Sequence, residues 1–102
     1  MAETPASAAA PAPIQINRTV AIRNQRGLHA RAAARFVKLA FEYDAEIIVT
    51  KAGASVSGRS IMGLMMLAAG PGSTIDLSAT GPDAARAVDA LVALITGGFN
   101  ED

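Results

Sequence analysis

The chain has 102 residues, enough for one domain, and its 9 basic and 9 acidic side chains cancel, which excludes a polycationic nucleic-acid coat and an acidic solvating tail protein. Cysteine is absent and histidine occurs once, so disulfides, thiolate sites, a cysteine nucleophile and multi-histidine metal centres are excluded. Setting aside 23 alanines leaves 29 larger apolar residues, enough for one modest core, and no apolar run is long enough for a transmembrane helix.

Residues 1–13 hold six alanines and three prolines and lack a basic start or a leucine-rich stretch. Such a segment does not read as a secretory signal and buries too little to offset its ordering entropy. It is expected to be a disordered tail, with the folded domain over 14–102. From Ile14 the pattern alternates: Ile14, Ile16, Val20 and Ile22 on one face, Gln15, Asn17, Thr19 and Arg23 on the other. This predicts a half-buried strand, with Arg18 interrupting the apolar side near an edge. A loop over 24–27 leads to an amphipathic helix over 30–43, with Ala33, Phe36, Val37 and Ala40 on one face. Ile47 and Val49 mark a second strand and 54–56 a third, joined by a tight turn at Lys51-Ala52-Gly53. Ser60 opens a short helix over 61–68, which Ala69-Gly70-Pro71-Gly72 breaks. Ile75, Leu77 and Ala79 alternate with polar residues in a fourth strand. Gly81-Pro82-Asp83 starts a last helix with Ala85, Val88, Leu91, Val92 and Ile95 as its buried stripe, and Gly97-Gly98 ends it. The order β-α-β-β-α-β-α predicts an α+β open-faced sandwich: a four-stranded antiparallel sheet with three helices on one face.

Charge is unevenly spread. Arg18, Arg23, Arg26, Arg31, Arg35 and Lys38 fall in one segment free of acids. Such a segment is either a solvated face or a surface for an anion or acidic partner. His29 sits within it, just before the first long helix. Backbone N–H groups at a helix start lack partners and the dipole there is positive, so a phosphoryl group on that imidazole would meet donors. Arg31 could add a charged fork, and Gly27 would leave room for an approaching backbone. The alternative is that His29 merely caps the helix. With no carboxylate or serine base nearby in sequence, a hydrolase triad is implausible.

Gly27-Leu28-His29-Ala30-Arg31 resembles the active-site signature of the HPr family, the histidine phosphocarriers of the bacterial phosphotransferase system. Ser60-Ile61-Met62-Gly63-Leu64-Met65-Met66-Leu67 resembles its second signature, a regulatory serine with a short helix. The resemblance covers about 14–102, and the predicted element order is the family's. Asn24, Ala79-Thr80-Gly81-Pro82 and the closing Gly98-Phe99-Asn100-Glu101-Asp102 are similar to the nitrogen-related branch, called NPr. Ser60-Ile61-Met62-Gly63 is similar to the sugar branch of organisms with an HPr kinase, and the choice of branch stays open. Ala32 stands where the family usually has proline. Alanine also suits a helix start, so the turn is expected to survive.

The resemblance implies a relay in which enzyme I passes a phosphoryl group derived from phosphoenolpyruvate to Nδ1 of His29, and His29 passes it to an EIIA-type protein. Arg31 and the backbone amides of Ala30 and Arg31 would hold the phosphate oxygens. Leu28, Ile61, Met62 and Met65 would form an apolar docking rim, methionine being suited to more than one partner; plain core packing is the alternative for Met65 and Met66. Ser60 is expected as a helix N-cap and as a regulatory phosphorylation site for an HPr kinase/phosphorylase. The resemblance further implies a cytoplasmic monomer needing no cofactor and no metal, and binding neither nucleic acid nor membrane. A competing reading is a small regulatory domain, binding protein or nucleic acid, that carries no phosphate.

Overall fold

Two periodicities in the chain build two layers. The computed structural model describes residues 15–101; the expected tail, Ile14 and Asp102 lie outside them. Strands β1 (Gln15–Ala21), β2 (Glu46–Lys51), β3 (Ala54–Ser57) and β4 (Thr74–Thr80) form one antiparallel sheet in the order β1-β4-β2-β3. Register puts Val20 opposite Ile75, Ile16 and Ile47 opposite Ala79, and Val49 opposite both Leu77 and Val56. One-in-two alternation thereby gives one apolar face, the floor of the core. The other face is polar: Thr19 donates to Asp76 at 2.5 Å, and Thr50 and Ser55 hydroxyls meet at 2.7 Å. β1 is an edge strand, as the interruption at Arg18 suggested, and Arg18 is exposed, 3.6 Å from Asp89.

Helices α1 (Ala30–Ala40), α2 (Ile61–Met66) and α3 (Ala84–Thr96) cover the apolar face. α1 buries Ala32, Ala33, Phe36, Val37 and Ala40; full burial of Phe36 contributes about 1.5–3 kcal/mol. Ala32 lies within the first turn, so the turn forms without the proline. α1 ends at Ala40 rather than Tyr43, because Glu42 and Tyr43 donate to Leu39 and Ala40 in tighter i→i−3 bonds. Phe41 is exposed, its ring under the Arg59 guanidinium at 4.9 Å. α2 likewise stops at Met66, short of Ala68, which turns the chain at φ 54°.

α3 buries Val88, Leu91 and Ile95 as the stripe predicts, with Ala84 and Ala87 taking the inner face in place of Ala85 and Val92. Ala84, Ala87, Val88, Leu91 and Ile95 are buried, Ala85 is exposed and Val92 only half-buried. Alanine is small enough for either face and marks no phase. After α3, a 3-10 turn over Gly98–Asn100 folds back so that Phe99 drops fully into the core.

Candidate functional site

His29 is the N-cap residue of α1, with extended backbone (φ −75°, ψ 177°), but its imidazole makes no capping bond. The ring reaches instead to the C-terminal turn, where Nε2 lies 2.5 Å from Oε2 of Glu101, a residue 72 positions on. No carboxylate lies near His29 along the chain; the fold supplies one. An ionised carboxylate only accepts, so Nε2 carries a proton, and in the neutral ring Nδ1 is then the nitrogen with the free lone pair. Nδ1 has no hydrogen bond among the described residues. The helix-start amides of Ala30 and Arg31 also lack acceptors among them, while Ala33 already bonds back to the His29 carbonyl.

Glu101 is held from several sides. Asn24 is buried, and its Nδ2 donates to Oε1 of Glu101 at 3.0 Å and to the Gly27 carbonyl at 2.8 Å. Arg35 donates to the Phe99 carbonyl. Phe99 and Asn100 both sit in the left-handed region, at φ 57° and 62°. A phenylalanine there is a strained turn, over-determined here by its buried ring and by the Arg35 bond. The hydrogen bonds from His29 and Asn24, with the nearby Arg35 charge, hold the Glu101 carboxyl below its usual 4.5.

His29, Glu101 and Asn24 line an open cleft of about 550 Å³ together with Arg23, Arg26, Arg31 and Arg35. Arg31 thus faces the site from the first turn of α1. Glu101 is the member the sequence reading missed, although the closing Gly98–Asp102 segment had been singled out and carries it.

Gly27 serves a different purpose from the one expected. A Cβ there would lie 2.3 Å from the Ala69 carbonyl oxygen, and its φ is 63°. The space belongs to the chain's own backbone, and the neighbouring Leu28 amide donates to that same oxygen at 2.9 Å. Leu28 is accordingly a core residue, 5% exposed, and is removed from the docking rim. Its burial locks the loop before His29 onto the turn after α2. Ile61, Met62 and Met65 are exposed, and Met66, not included in that rim, is the most exposed at 78%. Core packing is therefore not the role of either methionine. Ser60 is the N-cap of α2, its Oγ accepting from the Gly63 amide at 2.9 Å. Among the described residues no group of side chains could hold a metal ion.

The family model described as the HPr component phosphorylation site of the phosphotransferase system matches residues 16–97. The phosphocarrier protein HPr of Cupriavidus necator is 46% identical over 86 residues, 84% of this chain and 97% of its own. The phosphocarrier protein NPr of Shewanella violacea is 45% identical over 87 residues, 85% of this chain and 96% of its own. A crystal structure of HPr from Thermoanaerobacter tengcongensis superposes with a TM-score of 0.82 at 42% identity, covering 85% of this chain and 98% of that one. With two signature segments brought to one end of an open-faced sandwich, and a match spanning most of its length, the chain belongs to the HPr family of phosphocarrier proteins of the phosphotransferase system.

Proposed function

We propose that His29 accepts a phosphoryl group from enzyme I and passes it to an EIIA-type protein. The observation that carries this reading is the Glu101 contact to Nε2, which leaves Nδ1 as the nucleophilic nitrogen at the edge of an arginine-lined cleft. The Nδ1 lone pair attacks phosphorus; the P–N bond of the donor phosphohistidine breaks, and its electron pair returns to the donor ring. Arg31 and the Ala30 and Arg31 amides neutralise the equatorial oxygens, so the carrier works by positioning and electrostatics. Ile61, Met62, Met65 and Met66 give both partners an apolar surface.

Ser60 is proposed as a regulatory phosphorylation site for an HPr kinase/phosphorylase. The protein is proposed to act in the cytoplasm as a monomer; among the described residues no helix is long and apolar enough to cross a membrane. Identity to HPr and NPr relatives is nearly equal.

The test is incubation with enzyme I and labelled phosphoenolpyruvate. Wild type is expected to take up acid-labile label and His29→Ala none. Label on the variant, or its absence from wild type, overturns the reading.

A further inference from the structure

The cleft beside His29 is built for more negative charge than one phosphoryl group carries. Four guanidinium groups line it, from Arg23, Arg26, Arg31 and Arg35, against the single carboxylate of Glu101. Arg35 is engaged by the Phe99 carbonyl. Arg23, Arg26 and Arg31 form no ion pair among the described residues. Arg23 and Arg26 lie in the loop between β1 and α1, flanking Asn24 and Gln25, and are not needed to hold a phosphoryl group at the helix start. A protein-bound phosphate carries about 1.5–2 negative charges near neutrality, so one on His29 leaves part of the surplus unmatched.

Size agrees with charge. About 550 Å³ exceeds what one phosphoryl group fills and falls within the range of small-molecule sites. Asn24 is only 6% exposed. Both neighbours of its amide nitrogen are acceptors, which fixes the amide's orientation and leaves Oδ1 buried with no donor among the described residues. Oδ1 has no accessible surface, so the Asn24 amide serves to hold Glu101 and the anion contacts of the cleft fall to the guanidinium groups and the helix-start amides.

We propose that this cleft binds a free diphosphate group, either inorganic diphosphate or the diphosphate of a nucleotide. One phosphate takes the helix-start amides beside His29, and the second takes the guanidinium forks of Arg23 and Arg26. No bond is made or broken. The proposal rests on the carrier reading in one respect: the first phosphate occupies the place of the transferring phosphoryl group. Bound diphosphate therefore competes with phosphorylation of His29 and makes the relay responsive to free diphosphates.

The test is calorimetric titration of the unphosphorylated full chain with inorganic diphosphate, orthophosphate and adenosine diphosphate in magnesium-free buffer. Wild type, His29→Ala and Arg23→Gln/Arg26→Gln are compared, with Arg26→Gln alone as a second variant should the double one misfold. Diphosphate is expected to bind wild type at least about tenfold more tightly than orthophosphate. His29→Ala should keep diphosphate affinity within about threefold, whereas the arginine variants should lose about tenfold for diphosphate and far less for orthophosphate. Adenosine diphosphate binding as tightly as diphosphate identifies the nucleotide as the source, and much weaker binding identifies the inorganic anion; both support the site. Diphosphate binding no tighter than orthophosphate, or arginine variants that bind like wild type, overturns it. The labelled-phosphoenolpyruvate assay without diphosphate judges the carrier reading separately. A protein that takes label on His29 yet ignores diphosphate loses only this proposal; one that binds diphosphate but takes no label loses the carrier reading.

Discussion

At the scale of single residues, the chemistry depends on which imidazole nitrogen is free. On the proposed carrier reading Glu101 is a positioning residue: it accepts from Nε2 and so favours, in the neutral ring, the tautomer with Nδ1 free. Glu101→Leu removes the acceptor and lets the two tautomers mix. Phosphoryl transfer from enzyme I is expected to slow by about tenfold, while Glu101→Gln, whose amide oxygen still accepts, should stay within about threefold of wild type. Nitrogen-15 shifts of the His29 ring provide the readout that a purely structural role would not move. They should report one dominant tautomer in wild type and Glu101→Gln and a mixture in Glu101→Leu; unchanged shifts would remove Glu101 from the mechanism.

At the scale of elements, two turn glycines, one beside the site and one in the distant β2–β3 hairpin, are under different demands. Gly27 has both a left-handed backbone and a carbonyl oxygen where a Cβ would go, whereas Gly53, at φ 85°, has open space around it. Gly27→Ala is expected to cost about 2–4 kcal/mol, a drop in Tm of roughly 10–20 °C. Gly53→Ala should cost about 1 kcal/mol, the conformational penalty alone. Thermal melts of the two variants decide whether the close approach to Ala69 matters beyond φ.

α2 answers to its cap. Ser60→Asp can still accept from the Gly63 amide and places negative charge where the helix dipole favours it, so folding should be preserved. Docking should weaken, because the cationic surface around His29 suits an acidic partner, the role proposed for enzyme I, and new negative charge on that surface repels acidic groups. Transfer from enzyme I is expected to slow by about threefold or more at low salt, and the deficit should shrink as added ions screen the charge over about 8–10 Å. Rates measured across ionic strength, with melts alongside, check this; wild-type transfer at low salt would refute an electrostatic switch at Ser60.

At the scale of the whole molecule, the C-terminal turn is a clasp that joins α3 to the start of α1. Glu101 bonds to His29 and Asn24 while Phe99 fills the core between them. Because the folded protein holds the Glu101 carboxyl below its usual 4.5, the unfolded chain binds its proton first as pH falls. The clasp's contribution is therefore complete above the usual carboxylate range and is lost as pH drops through the lowered folded-state value. Melts of wild type and Glu101→Gln from neutral to strongly acidic pH should differ most near neutrality and converge in acid. A gap that stays constant with pH would show that the charge of Glu101 does not stabilise the clasp.

The strands and helices were legible in the residues because their signals are local. Alternation in β1 and β4, the apolar face of α1 and the Ser60 cap each depend on neighbours a few positions away, whereas the strand order β1-β4-β2-β3 is set by pairings between distant segments. The anion-favouring helix start at His29 was legible because its signal too is local. Alanine blurred the phase of α3, where Ala85 and Ala84 are equally acceptable to the pattern, and only packing on the sheet selects Ala84 and Ala87. Leu28 reads as a surface anchor in sequence and becomes core because the turn after α2 closes over it. Gly27 reads as room for a partner, and the space is filled by the Ala69 carbonyl from another part of the chain. Glu101 could not be assigned from spacing at all: a strained turn at Phe99, stabilised by burial and by Arg35, brings it across 72 positions to the imidazole. Local sequence thus determined the elements and the anion-favouring helix start at His29, while the His29–Glu101 pairing, on which the proposed choice of reactive nitrogen depends, arises from long-range closure, whose energy comes from packing the core.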